Sequence, residues 1–149
     1  MNIDNKLKQL EIAQYNCSNL SILEIPFLQA RVSAGFSSFA DNFVDRKLDL
    51  NELLIRHPAA TYFIRVKGNS MEQAGISSND ILIVDRAVSV TDNKIVVARI
   101  NDELTVKRIK VNGNTLYLVP DSDEYKPIEI TESMDFEVWG VVISVIRQL

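Results

Sequence analysis

Two side chains, Ser70 and Lys107, have the types that a nucleophile and its general base require. Ser70 stands in the stretch GNSM at 68–71, where the glycine permits a tight turn that can expose a hydroxyl. A serine hydroxyl needs a base to attack a carbonyl, and a lysine serves when burial makes its charged form costly. The pair predicts acyl transfer of the Ser–Lys kind, although a glycine–serine turn by itself is more often only a turn.

Strand alternation decides which basic side chain near position 107 is buried. The stretch LTVKRI at 104–109 alternates, which places Thr105 and Lys107 on one face and Arg108 on the other. Either Lys107 or Arg108 therefore points inward, and only the lysine can lose its proton. Thr105, two residues away on the same face, is placed to hold the amine by a hydrogen bond. The alternative for this stretch is an ordinary solvated strand face.

A bond that such a site would accept lies ahead of it in the chain. The stretch VSAG at 32–35 offers small side chains, and Gly35 carries no β-carbon on the far side of the bond. A narrow cleft would admit this segment where larger side chains would clash. We therefore expect Ser70 to cut between Ala34 and Gly35, in the same molecule or in a partner copy. The alternative is that these residues are only a linker.

Other reactive side chains are isolated in the sequence. Cys17 is the only cysteine and His57 the only histidine, so neither has the companions that a disulfide or a metal site needs. His57 precedes Pro58, where a helix should end, and we interpret it as a terminus residue rather than a base. We expect no metal and no cofactor.

Composition and charge argue against several classes of protein. Apolar residues make up 46% and charged residues 24% of the 149 residues, and the net charge is −4. No run of Lys or Arg stands out, so we expect no direct sequence-specific DNA binding. The sequence has no signal peptide and no stretch of about 20 apolar residues. We therefore expect no membrane attachment and a reducing, cytoplasmic location.

The elements that position these residues are predicted to be mostly strands. Asp49 and Glu52 mark the start of a helix at about 50–56, which Pro58 ends. Many short strands with one short helix predict a compact, mostly antiparallel β fold. The predicted strands are 61–67, 81–84, 94–100, 104–110, 115–119 and 136–146.

Three positions predict turns or irregularities in these strands. A turn is expected at Asn101-Asp102, and Asn112-Gly113 is the dipeptide best suited to a tight type I′ hairpin. Gly140 lies inside the last strand and predicts a bulge or a bend.

Residues 1–34 differ from the rest of the chain. They contain amide-rich pieces, and Pro26 pushes Ile25 toward an extended conformation. We predict an irregular or extended N-terminal arm. Thirty-four residues are too few for a helix-turn-helix domain with its own core.

Three motifs in order, VSAG at 32–35, GNSM at 68–71 and TVKR at 105–108, resemble those of the self-cleaving serine peptidases of the LexA/UmuD group. The resemblance covers roughly residues 25–149 and is closest to the UmuD branch. It departs from that branch in a longer leader and in an Ala-Gly bond, as in LexA repressors, where some UmuD proteins have Cys-Gly. The further stretches that carry it are DLNELLI at 49–55, HPAATYF at 57–63, DILIVD at 80–85 and WGVVI at 139–143.

The resemblance implies a role for each motif residue. Ser70 would be the nucleophile and Lys107 the general base, with the backbone amides of Asn69 and Ser70 as the oxyanion hole. The bond between Ala34 and Gly35 would be cut. The remaining residues of that motif, Val32 and Ser33, would dock beside the site, Val32 in an apolar pocket.

The resemblance also implies an organisation and a set of partners. The arm at 1–34 would be removed, and 35–149 would be a curved β peptidase and dimerisation domain that forms a homodimer. The RecA filament on single-stranded DNA would stimulate cleavage during the SOS response to DNA damage. The processed form would join the UmuC subunit in a translesion polymerase, with contacts to replicative polymerase subunits.

Three other readings compete with this one. A LexA-like self-cleaving repressor needs a DNA-reading domain ahead of the cut, which residues 1–34 are not expected to supply. A signal peptidase also uses a serine and a lysine but requires a membrane anchor. A non-enzymatic β interaction module would keep the family's shape without its chemistry.

Overall fold

The computed structural model describes residues 25–28 and 44–149. The chain divides into two units, Met1–Leu53 and Leu54–Leu149. In the first unit, strand β1 (Ile25–Leu28) pairs antiparallel with strand β2 (Val44–Leu48). The extended conformation predicted around Pro26 is thus a strand, whereas its pairing with β2 was not predicted.

A single short helix follows β2. Helix α1 spans Leu50–Leu54, and the Asp49 side chain caps it by accepting a hydrogen bond from the Asn51 backbone N–H at 2.8 Å. The helix begins where the sequence predicted and ends two residues early. A 3₁₀ turn, Pro58–Ala60, comes soon after it.

The second unit contains one antiparallel sheet of seven strands in the order β3-β4-β9-β5-β6-β7-β8. The predicted fold class, mostly antiparallel β, is confirmed, and residues 44–149 contain one short α-helix. Strand β8 was missed because three residues are too few to show alternation. The strands are β3 (Thr61–Arg65), β4 (Ile81–Asp85), β5 (Ile95–Ile100), β6 (Glu103–Asn112), β7 (Thr115–Val119), β8 (Ile128–Ile130) and β9 (Phe136–Ile146).

Two hairpins flank β6 and differ in their turns. Asn101 and Asp102 both have positive φ, 45° and 70°, as a two-residue type I′ turn requires. In the next hairpin, the loop residues are Gly113 and Asn114, since Asn112 pairs with Thr115. Only Gly113 has positive φ, 60°, so the predicted type I′ turn is shifted by one residue and has the φ pattern of type II′.

Strand β9 joins the two halves of the sheet, because it pairs with β4 on one side and β5 on the other. The pairing of β9 with β5 shifts by one residue at Trp139, which has no partner in the register. The irregularity predicted at Gly140 is therefore present one residue earlier in the strand. The sheet carries buried apolar side chains on both faces, because Val97 belongs to one core cluster and its neighbours Val96 and Ala98 belong to another.

Gly140→Ala is expected to destabilise the fold by about 1–3 kcal/mol because the new methyl group overpacks the core. A β-carbon at this position would lie 2.7 Å from Val84 Cγ1 and 3.3 Å from the Asp85 carbonyl oxygen. Urea unfolding followed by the fluorescence of Trp139, the only tryptophan, measures the loss. Adding Val84→Ala removes the nearer clash, so the double variant should lose less than the sum of the single variants. If the double variant instead loses the full sum of the free energies of unfolding lost in the two single variants, the new methyl group does not clash with Val84.

Candidate active site

Ser70 lies in a loop that leaves the end of β3 and returns to the start of β4. The base of the loop is closed by two backbone hydrogen bonds, Val66 N–H to Asp80 O at 2.8 Å and Asn79 N–H to Val66 O at 2.9 Å. Gly68 has a positive φ of 95°, a conformation that favours glycine, as expected for the tight turn that the sequence permitted here. Met71, directly after the serine, is buried in a core cluster and anchors the turn to the sheet.

A buried carboxylate holds the far side of this loop. Arg147 donates from Nε to Asp80 Oδ1 at 2.7 Å and from Nη2 to Asp80 Oδ2 at 2.6 Å, while the Ser77 backbone N–H donates to Oδ2 at 2.7 Å. The hydrogen bonds from Arg147 and Ser77 lower the pKa of Asp80 to about 2. The Asp80 carboxylate therefore stays charged near neutral pH, and the end of the loop stays attached to the C-terminal residues after β9.

Lys107 lies in β6, at the point where that strand leaves its partner β7. Strand β7 pairs with β6 only from Arg108 to Asn112. The Lys107 side chain is buried, with 8% of its surface exposed, and burial lowers its pKa below the ordinary value. None of the ion pairs among the described residues includes Lys107, so no carboxylate offsets the cost of burying its charge.

Three oxygen atoms surround the Lys107 amine. Its Nζ lies 2.9 Å from Ser70 Oγ, 2.8 Å from Thr105 Oγ1 and 3.0 Å from the Val106 carbonyl oxygen. A neutral amine has two hydrogens and one lone pair. It can donate to Val106 and Thr105 and accept the hydrogen of Ser70, which is the geometry a general base needs. An ammonium ion would satisfy the same three contacts by donating to all of them.

The backbone next to Ser70 offers two N–H donors that no described residue accepts from. Among the hydrogen bonds of residues 44–149, none has the N–H of Asn69 or Ser70 as its donor. Two adjacent amides of this kind can stabilise the negative oxygen of a tetrahedral intermediate. The structure thus leaves these two predicted donors available.

Two grooves lie beside the pair, one lined by Ser70 and the other by Lys107. The first has a volume of about 190 Å³ and is lined by the end of β3, by Gly68, Ser70 and Met71, and by the start of β6. The second has a volume of about 490 Å³ and includes Lys107 together with Tyr125 and Lys126. Thr105 lines both grooves.

The structure brings together some of the predicted residues and does not describe others. Ser70 and Lys107 are in hydrogen-bond contact, and the predicted hydrogen bond between the amine and Thr105 is present, with Lys107 Nζ donating to Thr105 Oγ1. The catalytic roles of the serine and the lysine remain predictions. The predicted cleavage segment, Val32, Ser33, Ala34 and Gly35, lies outside the described residues, as does Cys17.

His57 is engaged elsewhere in the fold. Its Nδ1 lies 2.6 Å from Oδ2 of the buried Asp85, the residue that pairs with Thr61 at the first position of β3. Ser70 follows the opposite end of β3, so the histidine is not placed as its base. The pair with Asp85 gives His57 a partner that the sequence did not predict.

Asp121, an acidic residue that no sequence motif indicated, lies close to the site. Asp121 follows β7 and forms an ion pair with Arg108, the neighbour of Lys107. Asp121 also contacts Met71, the neighbour of Ser70. These contacts join residues 13 and 50 positions apart, so no local pattern could have indicated them.

Comparisons with known proteins agree on one family. The family model described as Peptidase S24-like matches residues 26–143. Protein MucA of Salmonella typhimurium is 42% identical over 119 residues, covering 79% of this chain and 81% of MucA. Protein ImpA of Salmonella typhimurium is 40% identical over 124 residues, covering 83% of each chain. The LexA repressor of Glaesserella parasuis is 38% identical over 121 residues, which are 80% of this chain and 57% of the repressor.

Within the part of the chain that the structure describes, no helix is long and apolar enough to span a bilayer.

Proposed function

The chain belongs to the S24-like peptidase family and, within it, to the UmuD type, and from this membership we propose that it cuts itself between Ala34 and Gly35. Ser70 is the proposed nucleophile and Lys107 the proposed general base. The observation that supports this most directly is the distance of 2.9 Å between Lys107 Nζ and Ser70 Oγ, at an amine that is buried and has no described ion-pair partner.

In the first step, the neutral amine of Lys107 takes the proton of the Ser70 hydroxyl while Oγ attacks the carbonyl carbon of Ala34. The carbonyl oxygen becomes negative in the tetrahedral intermediate. The backbone N–H groups of Asn69 and Ser70 are the proposed donors to that oxygen, and one such donor typically contributes about 2.7–4 kcal/mol.

In the second step, the bond to Gly35 breaks. The ammonium of Lys107 returns its proton to the departing nitrogen, which becomes the new N-terminus, while Ala34 stays attached to Ser70 as an ester. Lys107 then removes a proton from a water molecule, which attacks the ester and releases residues 1–34 with a new carboxylate. Ser70 recovers its hydrogen, so the site ends as it began.

A self-cleaving chain needs something that keeps its cleavage slow until it is stimulated. A bond tethered beside its own nucleophile can react with an effective molarity of ~10⁵–10⁸ M, so an arm that was always docked would be cut at once. We propose that the productive arrangement is rare and that the RecA filament on single-stranded DNA binds it preferentially and raises its population.

The wider role is proposed from the resemblance to UmuD. The processed chain, residues 35–149, would act in the cytoplasm during SOS mutagenesis as a homodimer. Its partners would be the UmuC polymerase subunit and replicative polymerase subunits. Removal of the arm would change the surface that these partners meet.

A LexA-like regulator is the second candidate, since a LexA repressor is 38% identical to this chain. The two candidates share the cleavage chemistry and differ in DNA binding. A gel shift with operator DNA separates them, because only the repressor should retard its operator.

Incubation of the purified chain at alkaline pH tests the cleavage itself. We expect a product whose mass corresponds to residues 35–149, formed faster when the RecA filament is added. The stimulation should disappear without single-stranded DNA. A product that begins at another residue would contradict the proposed bond, and a folded chain that stays whole would favour the non-enzymatic module.

A further inference from the structure

Asp121 contacts both of the segments that carry the proposed catalytic pair. On one side its carboxylate receives hydrogen bonds from Arg108, with Nε 3.0 Å from Oδ2 and 3.2 Å from Oδ1, and Nη2 also contacts Oδ2. Arg108 is the residue after Lys107 in β6. The two side chains are largely shielded from solvent, with 26% and 19% of their surfaces exposed.

On its other side, Asp121 holds the turn that follows Ser70. Its carbonyl oxygen accepts a hydrogen bond from the Gln73 N–H at 2.9 Å, and its own N–H donates to the sulfur of Met71 at 3.4 Å. Met71 is directly bonded to Ser70 in the chain and is buried in a core cluster. Pro120, which precedes Asp121, is itself buried.

The ion pair therefore links the segment that carries Ser70 to the strand that carries Lys107. Ser70 and Lys107 are 37 positions apart. Arg108 follows Lys107 directly in the chain and binds the Asp121 carboxylate. The backbone of Asp121 in turn contacts Met71 and Gln73, which follow Ser70. Arg108 is fixed from a further direction, since its Nη1 donates to the Asn93 carbonyl oxygen at 2.7 Å.

We propose that the Arg108–Asp121 ion pair is a positioning clamp that sets the distance between the Ser70 hydroxyl and the Lys107 amine. The inference rests on the proposed function, because it concerns the same pair. A misplacement of about 1 Å in such a pair can cost ~10²-fold in rate. The geometry of the pair matters here, since Arg108 contacts the carboxylate through both Nε and Nη2, and two contacts fix the relative orientation of the groups better than one.

Two conservative substitutions test the clamp. Asp121→Asn keeps the volume and the backbone contacts but removes the charge. Arg108→Lys keeps the charge but removes the fork. Each should slow self-cleavage about 10- to 100-fold, and the double variant should be no slower than the worse single variant, because both disrupt one contact.

A second ion pair of the same kind provides the matched control. Arg99 binds Asp135 through Nη1 at 2.6 Å and Nη2 at 3.0 Å, at the end of β5 next to the Asn101-Asp102 turn. Asp135→Asn and Arg99→Lys should leave the cleavage rate within about twofold, because this ion pair joins β5 to the residue before β9 rather than joining β6 to the turn after Ser70. Melting temperatures of all variants show whether any loss of rate is a loss of folding.

Labelling of Ser70 by a fluorophosphonate gives a readout that a merely structural role would not change. This reagent reports how readily the hydroxyl reacts and does not need the arm to dock. Asp121→Asn should slow labelling in folded protein by the same factor as cleavage. Normal rates of cleavage and labelling in both clamp variants would overturn the clamp. It would also be overturned if the two control variants lost as much cleavage rate as the clamp variants. If Asp121→Asn fails to fold, the cleavage and labelling rates of Arg108→Lys test the clamp instead.

The outcomes also separate the clamp from the proposed function. If Ser70→Ala still cuts at the same bond, the proposed function fails and the clamp fails with it. If cutting requires Ser70 but is unaffected in both clamp variants, only the clamp fails.

Discussion

Ser70→Ala is expected to give a folded, full-length chain that does not cut itself. Loss of the nucleophile should lower the rate by ~10⁴-fold or more, because the remaining groups offer only electrostatic and binding contributions. The hydroxyl lies at the surface end of a loop whose closure depends on Val66, Asn79 and Asp80, so the fold should survive its removal. Mass spectrometry after prolonged alkaline incubation measures the remaining fragment.

Ser133→Ala is the control for this change. Ser133 is an exposed serine in the turn between β8 and β9, and its hydroxyl contacts only Thr131 among the described residues. This variant should cut at the normal rate. If the Ser70 variant still produces the 35–149 fragment, another protease is responsible and the assignment of Ser70 is wrong.

The cleavage rate is expected to rise with pH because Lys107 must lose its proton to act. Burial lowers the pKa of Lys107 below 10.5, so the neutral fraction grows about tenfold per pH unit and then levels off below that value. The sign follows from desolvation, which penalises the ammonium form. Single-exponential rates measured from pH 7 to 10 define the profile, and far-UV circular dichroism checks that the fold persists.

Lys107→Arg should reduce the rate by ~10²–10⁴-fold, because a guanidinium keeps its charge and cannot accept a proton. Lys110→Arg, three positions further along the same strand, is the matched control and should cut normally. A flat profile from pH 7 to 10 with the fold intact would remove Lys107 as the base. Cleavage at full rate in the Lys107 variant would do the same.

Much of the site was predictable because it depends on local pattern and on motif order. Alternation in 104–109 left two candidates for burial, and the structure buries Lys107 while Arg108, on the other face, keeps 26% of its side chain exposed. The hydrogen bond that Lys107 donates to Thr105 followed from the same alternation. The family was predicted from three short motifs in order, and the family model confirms it.

What the sequence did not predict depends on contacts between distant residues. The pairing of β1 with β2 joins segments that show no shared periodicity, and β8 has only three residues. The hairpin after β6 turns on Gly113-Asn114 because the pairing of Asn112 with Thr115 fixes the register, which a dipeptide preference does not determine. Asp121 gave no signal because its two partners come from separate strands and loops.

The order of the seven-stranded sheet leaves β3 and β8 outermost, and this affects how the protein associates with itself. An outer strand with a long row of free backbone groups is a template for fibrils. Here the outer strands have only five and three residues, and Pro127, which has no N–H to offer, directly precedes the shorter one. Addition of a further strand is therefore disfavoured at both edges of this sheet, which lowers its tendency to seed fibrils.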